Sequence, residues 1–357
     1  MTIVYILTAI LIFGVLIAVH ELGHFLAAKS CGVQVNEFAI GMGPALWHRR
    51  KGETEYSIRA FPIGGYCAME GEDEASNNPR ALNRQGFWKK FLIFVAGAAM
   101  NFLTGFVIIL VLYSGAKAFY TPKITGFAPE FKQTDGAGLQ KGDTVLRINS
   151  ERVYLYSDLG LLLSLNKSNT TDLTVLRGGK KQTLENLKLQ RGEYTSADGK
   201  TKYTGYGLYF GGTERATIGA KLRYSWLNAV DFVREVRLSL KMLVTGKASM
   251  NDVSGPVGIV STITKVGKQS GSAKAAAENI FYLAALIAVN LAVMNLLPIP
   301  ALDGGHILFL VLDEITLLLF KKRIPEKYEA AINLAFFVAL MAFMLVVTFH
   351  DVFRLLK

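Results

Sequence analysis

Long apolar runs interrupt this chain at four places, and the polar stretches between them differ greatly in length. From Ile3 to Ala28 the only acidic or basic residues are His20, Glu21 and His24, clustered near the end of the run. Further runs occupy about Phe91 to Tyr113, a stretch that begins around Phe281 and continues past two prolines, and about Ala330 to Phe349. About 20 apolar residues suffice for a helix to cross a bilayer, so the pattern predicts four transmembrane helices. Elsewhere the period changes. Glu55 to Phe61 alternates polar and apolar residues as a half-buried strand does, and Pro62 to Gly65 supplies turn residues, which predicts a hairpin. Trp226, Val230, Val233, Val236, Leu240 and Leu243 recur at helical spacing, with Asp231, Arg234, Glu235, Arg237 and Lys241 opposite them. That stripe predicts a helix lying along the outer membrane interface or packing within an external domain.

Charge orients the spans. No basic residue precedes the first run, whereas Lys29, Arg49, Arg50, Lys51, Lys89 and Lys90 follow it, and Lys321, Lys322, Arg323 and Lys327 separate the last two. By the positive-inside rule both termini face out, the loop from Cys31 to Trp88 is cytosolic, and the long polar segment from about Ala116 to Lys274 is extracytoplasmic. The net charge of +11 could suit nucleic acid, but its basic residues are spread over loops that flank membrane, so anionic lipid is the expected partner and nucleic acid is not. Cys31 and Cys67 both fall in the cytosolic loop and are expected to be reduced thiols.

The most chemically informative residues are His20, Glu21 and His24, spaced as His-Glu-x-x-His. Histidines at i and i+4 project from one helix face and can bind one zinc ion. Glu21 leaves that face and can reach a water activated by the metal. Acidic and imidazole groups inside a span are costly and are functional by default. A hydrolytic zinc needs a third protein ligand and an open position. Asp303, in Asn295-Leu-Leu-Pro-Ile-Pro-Ala-Leu-Asp-Gly-Gly-His306, is the only carboxylate between Glu278 and Asp313, and His306 is its rival. Pro298 and Pro300 break the helix there, and irregular backbone at membrane depth is tolerated where it lines a cavity. The predicted topology puts His20, His24 and Asp303 near the inner ends of two parallel spans, where they can share a metal. Asn295 either donates to an oxyanion or cross-links helices, and Asn290 is expected to hydrogen-bond between helices.

The pairing of His-Glu-Leu-Gly-His with Asn-x-x-Pro-x-Pro-x-Leu-Asp-Gly resembles the site-2 protease family of intramembrane zinc metalloproteases. Gly255-Pro-Val-Gly-Ile259 and Phe61-Pro-Ile-Gly-Gly-Tyr66 resemble its bacterial branch, the regulator of sigma-E protease type that cleaves anti-sigma factors. The resemblance implies zinc held by His20, His24 and Asp303, Glu21 as catalytic acid/base, and Asn295 stabilising the oxyanion or holding substrate. It further implies that the hairpin lies against the membrane and offers a strand edge, with Tyr56, Ile58 and Ala60, to the unwound substrate. Gly97-Ala-Ala-Met-Asn101 resembles the family's Gly-Pro-x-x-Asn, with Ala98 where proline is common. Gly41-Met-Gly-Pro44 reads as a turn, and Glu70-Gly-Glu-Asp-Glu74 as a solvated acidic stretch. Gly138-Leu-Gln-Lys-Gly-Asp-Thr-Val-Leu-Arg-Ile-Asn149 resembles the core of bacterial PDZ domains, whose groove binds peptide or serves as a size filter.

The expected fold is a polytopic α-helical membrane protein with four transmembrane helices, a cytosolic membrane-associated β-hairpin and one extracytoplasmic PDZ domain of β-rich α+β type. Its expected parts are the first transmembrane helix at 1–30, the cytosolic loop at 31–88, the second helix at 89–114 and the PDZ domain at 122–211. An amphipathic helix and linker at 222–262, the third transmembrane helix at 276–320 and the fourth at 328–353 complete them. The expected activity is zinc-dependent cleavage, in the bacterial inner membrane, of single-span membrane proteins already cut outside, such as anti-sigma factor remnants or leftover signal peptides. A catalytically silent PDZ-bearing scaffold and a metal transporter are the alternatives.

Overall fold

The structure is a computed structural model that describes residues 2–72, 76–132, 138–166, 168, 170–247, 249, 253–322 and 325–356. Asp73 and Glu74 of the acidic stretch, Arg323 of the third basic cluster, and residues 133–137 of the PDZ-like segment lie outside the described residues. The chain divides into two compact units, one made of Met1–Leu112 with Phe232–Lys357 and the other of Tyr113–Asp231.

In the first unit, α1 (Thr2–Ser30), α2 (Phe87–Ser114), α6 (Ala273–Asn295) and α8 (Glu326–Leu356) are long and apolar enough to cross a membrane. Their outward faces carry exposed Leu7, Leu11, Leu103, Val107, Phe281, Phe337 and Phe343, as a lipid-facing surface requires. Small residues let the helices approach closely. A Cβ on Gly23 would stand 2.4 Å from the Ala96 carbonyl oxygen, and one on Gly105 would stand 2.7 Å from the Val289 side chain. The expected third span is two helices, because Pro298 and Pro300 end α6 and the chain restarts as α7 (Asp303–Phe320). The expected linker after the amphipathic helix holds another helix, α5 (Pro256–Gln269), with Pro256 in its first turn. Its end is closed by Asp351 of α8, buried, whose Oδ2 accepts the Gly255 and Gly258 N–H groups at 2.9 and 2.8 Å. Farther along, the Tyr5 hydroxyl of α1 donates to the Gly267 carbonyl at 3.0 Å.

The hairpin is larger than its alternating segment suggests. Strand β1 (Val35–Lys51) pairs with β2 (Thr54–Met69), and the turn is at Gly52. Both expected turns, Gly41–Pro44 and Pro62–Gly65, lie within strands. Gly41, Gly43 and Gly64 take positive φ there, so the ribbon bends and changes register without ending. One pairing set runs from Lys51 with Thr54 to Ala45 with Arg59, and another pairs Val35 with Met69. A further set matches Glu37 through Ile40 with Glu55 through Ile58. The Glu55–Ile58 row therefore has neighbours on both sides. Ile40, Met42, Leu46, Trp47, Ile58 and Phe61 are exposed, an apolar surface that a soluble hairpin would hide. Glu53 ties the turn down, accepting from Lys29 Nζ at 2.6 Å and from Arg80 Nη1 and Nη2 at 2.5 and 2.8 Å.

The second unit contains a four-stranded sheet of order β6-β5-β7-β8, formed by Glu151–Arg152, Thr144–Ile148, Thr171–Arg177 and Lys180–Leu187. Helix α3 (Asp158–Leu165) contributes Leu159, Leu162 and Leu163 to the same buried set as Val145, Ile148, Leu173 and Val175. Asp143 beside it is buried and takes the Arg177 guanidinium through Nε and Nη2, both at 2.7 Å. Shorter pairs join β3 (Ala118–Tyr120) to β12 (Thr213–Arg215), β4 (Ile124–Phe127) to β11 (Leu208–Phe210), and β9 (Gly192–Thr195) to β10 (Lys202–Gly205). The expected amphipathic helix is α4 (Ile218–Val244), but burial does not sort by its two expected faces. From the apolar stripe Val236 is buried while Trp226 and Leu243 are exposed, and from the polar face Asp231 and Arg234 are buried while Arg237 and Lys241 are exposed.

Candidate metal centre

Helix α1 is regular through its ligand-bearing turn, so His20 and His24 stand one above the other with ring centroids 4.8 Å apart. Asp303 opens α7, where the loop from α6 brings it against the histidines. Its Oδ2 lies 3.3 Å from His20 Nε2 and 3.4 Å from His24 Nε2, and the two Nε2 atoms are 3.2 Å apart. A tetrahedral zinc with ligand bonds of about 2.0–2.1 Å separates neighbouring ligand atoms by roughly 3.3–3.4 Å, which is this triangle. Oδ2 is buried and takes part in no hydrogen bond, which is costly unless a cation satisfies it. Among the described residues, this trio alone brings three or more imidazole, thiol or carboxylate groups together in this way.

Neighbouring groups fix these side chains. His24 Nδ1 is 2.8 Å from the Ile93 carbonyl oxygen, which holds the proton on Nδ1 and leaves the Nε2 lone pair for a metal. Gly97 of α2 makes the floor: a Cβ there would stand 2.4 Å from His24 Nε2 and 2.7 Å from His20 Cε1. Asn101, one turn on and 1% exposed, places its carboxamide 3.4 Å from His20 Nδ1 while its own Oδ1 is buried without a partner. Turned by half a revolution, that carboxamide gives the His20 Nδ1–H an acceptor. Neither Ile93 nor Gly97 was expected to bear on chemistry. A backbone carbonyl leaves no residue-type signal, and Gly97, like Asn101, stood out only through the family pattern.

The other expected residues divide. Glu21 turns off the ligand face toward the hairpin, where a Cβ on Gly65 would lie 3.5 Å from its Cγ. Asn295, the last residue of α6, brings Nδ2 to 3.3 Å from His20 Nε2. His306, the rival ligand, is drawn away: its ring stacks on Phe94 at 5.1 Å and its Nδ1 lies 3.5 Å from Glu329 of α8. Asn290 is exposed and so does not sit between helices. Tyr56 and Ile58 belong to the interior row, paired with Phe38 and Ile40 on one side and with Arg49 and Trp47 on the other, and Ala60 follows it. Strand addition needs unpaired N–H and C=O groups, and that row has spent them. The row nearest Glu21 is Gly65 to Met69, which pairs with Ile40 to Val35 on one side and with no other strand among the described residues.

A metal-shaped triangle carried on apolar helices, with a glutamate beside it and not in it, defines a membrane-bound metallohydrolase. The chain belongs to peptidase family M50, which it matches over residues 8–343. It is similar to a Clostridium acetobutylicum protein named as a zinc metalloprotease, with 38% identity and 97% of each chain covered. A Clostridium perfringens protein of the same designation shares 35% identity over 98% of each chain. The regulator of sigma-W protease RasP of Bacillus subtilis shares 29% identity over 97% of each chain. The protein is thus a zinc metalloprotease of the site-2 protease family with four apolar helices suited to a membrane.

Proposed function

We propose that His20, His24 and Asp303 hold the catalytic zinc and that the protein cleaves single-span membrane proteins within the bilayer, after another protease has removed their external part. The triangle of ligand atoms at 3.2–3.4 Å, borne by the inner end of one candidate span and the loop closing another, carries this reading. Bound zinc supplies a Lewis acid that polarises the peptide carbonyl and activates water. Glu21 takes the proton of the attacking water and delivers it to the departing amine. Asn295 Nδ2 donates to the oxygen on which negative charge develops.

A transmembrane helix hides its peptide bonds, so the substrate must be unwound before attack. The Gly65–Met69 row, open on one side and next to Glu21, can pair with the extended segment and replace its lost hydrogen bonds. The exposed apolar surface of the hairpin supports its lying against the membrane from the cytosolic side. Both termini are extracytoplasmic in this reading, in a bacterial inner membrane. The 122–211 segment acts there as a PDZ domain that binds a peptide tail or filters substrates by size. The four-stranded sheet and helix α3 of the second unit, with Gly142 at positive φ before β5, support that assignment. Substrates of this class include anti-sigma factor remnants and leftover signal peptides.

The test is cleavage of a truncated single-span substrate by purified wild type and E21Q, with bound zinc assayed in both. Loss of cleavage by about 10²–10⁴-fold with zinc retained supports the assignment, since proton transfer by a positioned side chain is worth that much. Equal cleavage by the two proteins would overturn it.

A further inference from the structure

The turn that delivers Asp303 is held in a conformation its own sequence resists. Ala301, two residues before Asp303, has φ 71°, in the left-handed region where a Cβ crowds the following carbonyl. Glycine would take this conformation freely, and the chain has glycine at 304 and 305 but alanine at 301. Most of the loop is pinned from within. Ile299 N–H donates to the Leu297 carbonyl at 2.7 Å, and Leu302 N–H donates to that of Ile299 at 3.2 Å. Gly304 and Gly305 press so closely on the Leu297 and Ile299 carbonyls that Cβ atoms would stand 2.1 and 2.5 Å from them. The N–H of Ala301 is satisfied from outside the loop, by Oδ1 of Asn333 on α8 at 3.2 Å. Glu329, one turn earlier on the same helix, faces His306, one turn after Asp303. Thus α8 grips the loop on both sides of the metal-facing carboxylate.

We infer that Asn333 of the fourth candidate span is a positioning residue for Asp303: by accepting the Ala301 N–H it holds the left-handed turn that sets where Oδ2 stands. This rests on the assignment of Asp303 as a zinc ligand. Without the acceptor, Ala301 relaxes toward negative φ, and the extended Leu302 swings Asp303 away from the histidines. Zinc affinity then depends on a helix that supplies no ligand, and a shift of α8 reaches the metal through one hydrogen bond.

The experiment is a double-mutant cycle on the full chain in detergent. N333L removes the acceptor at similar volume, and A301G removes the strain the acceptor opposes. Zinc retention against a competing chelator and cleavage of a truncated single-span substrate are measured for all four proteins. Thermal unfolding of the zinc-free forms accompanies both readouts. N333L is expected to lose roughly 10–100-fold in zinc affinity, the scale of partners that orient a ligand. In the A301G background the same substitution should cost only a few-fold, because glycine needs no help to hold the turn. Equal losses in the two backgrounds, or a loss that merely follows zinc-free thermal stability, would overturn the inference, as would unchanged zinc retention in N333L. Failure of the ligand assignment itself is separately visible, since D303N would then retain zinc.

Discussion

The two arms of the metal centre reach it by opposite means. The His20 and His24 arm is a regular helix, in which periodicity alone puts both rings on one face and packing against α2 does the rest. The Asp303 arm is irregular backbone between two helix ends, shaped by two prolines, two glycines in close contact with carbonyls, and an alanine at positive φ. The first arm is made locally and the second by tertiary contact. That difference suits a metalloprotease in lipid, where irregular backbone is tolerated only when the protein itself satisfies it.

Removing a proposed zinc ligand from either arm is the largest perturbation. H24A and D303N should each lower zinc affinity by more than the roughly 10–100-fold lost when an orienting partner is removed, with cleavage abolished in both. Equilibrium dialysis with metal analysis reads this directly. Zinc held normally by D303N would break the comparison, because the loop arm would then supply no ligand.

Next come substitutions that add one methyl group beneath each arm. In G97A the new Cβ falls 2.4 Å from His24 Nε2, and in G304A it falls 2.1 Å from the Leu297 carbonyl oxygen. The His24 ring can move only by giving up Ile93, so G97A should lose zinc while retaining its helices. The loop of G304A cannot yield without refolding, so its thermal stability should fall by about 1–3 kcal/mol or more, the usual cost of overpacking. Circular dichroism melting beside zinc analysis separates the two outcomes, and a G304A protein that melts like wild type would contradict the picture of a tightly folded loop.

This contrast also governs what the sequence made legible. His20, Glu21 and His24 were readable because helical spacing is a local property, and the four apolar runs because length and hydropathy are. Asp303 was readable as a lone carboxylate in a broken apolar run. The hairpin's strand ends were misplaced because Gly41, Gly43 and Gly64 look like turn residues, although pairing across the ribbon carries the strands through them. The open row at Gly65 to Met69 was hidden for a related reason: which row of a folded ribbon has a free side depends on register, and alternation does not encode register. The mixed burial along α4 shows the same limit. An amphipathic pattern fixes that two faces differ, but what each turn packs against decides which of its residues are buried.

A smaller effect is expected at Asn101. N101A takes an acceptor from His20 Nδ1 without touching a ligand, so cleavage should fall by roughly tenfold with zinc affinity lowered by a similar factor. N101D, which keeps an acceptor oxygen at that position, should recover part of the loss. If both variants match wild type, His20 is oriented by its helix alone, and the local character of that arm is more complete than the structure indicates.

The smallest effect concerns the far end of the same arm, where Lys29 and Arg80 meet Glu53 at the hairpin turn. Hydrogen bonds from Arg80 first and Lys29 second hold the Glu53 carboxyl at about 2, below its ordinary 4.5. A depressed acid stabilises the fold above its unfolded value and ceases to do so as pH falls through its folded one, so this tether is complete above about 4.5 and is lost toward 2. The contacts are largely solvent-exposed, and salt should weaken them. Hydrogen exchange of the turn amides near Gly52, corrected for intrinsic rates, should therefore rise as pH drops through that window in wild type. In E53Q the exchange should already be raised at neutral pH and change little across the window. Because the turn is far along the ribbon from Gly65, zinc retention should be the same in both proteins. A loss of zinc in E53Q would mean that the helical arm, like the loop arm, takes its position from contacts made elsewhere in the fold.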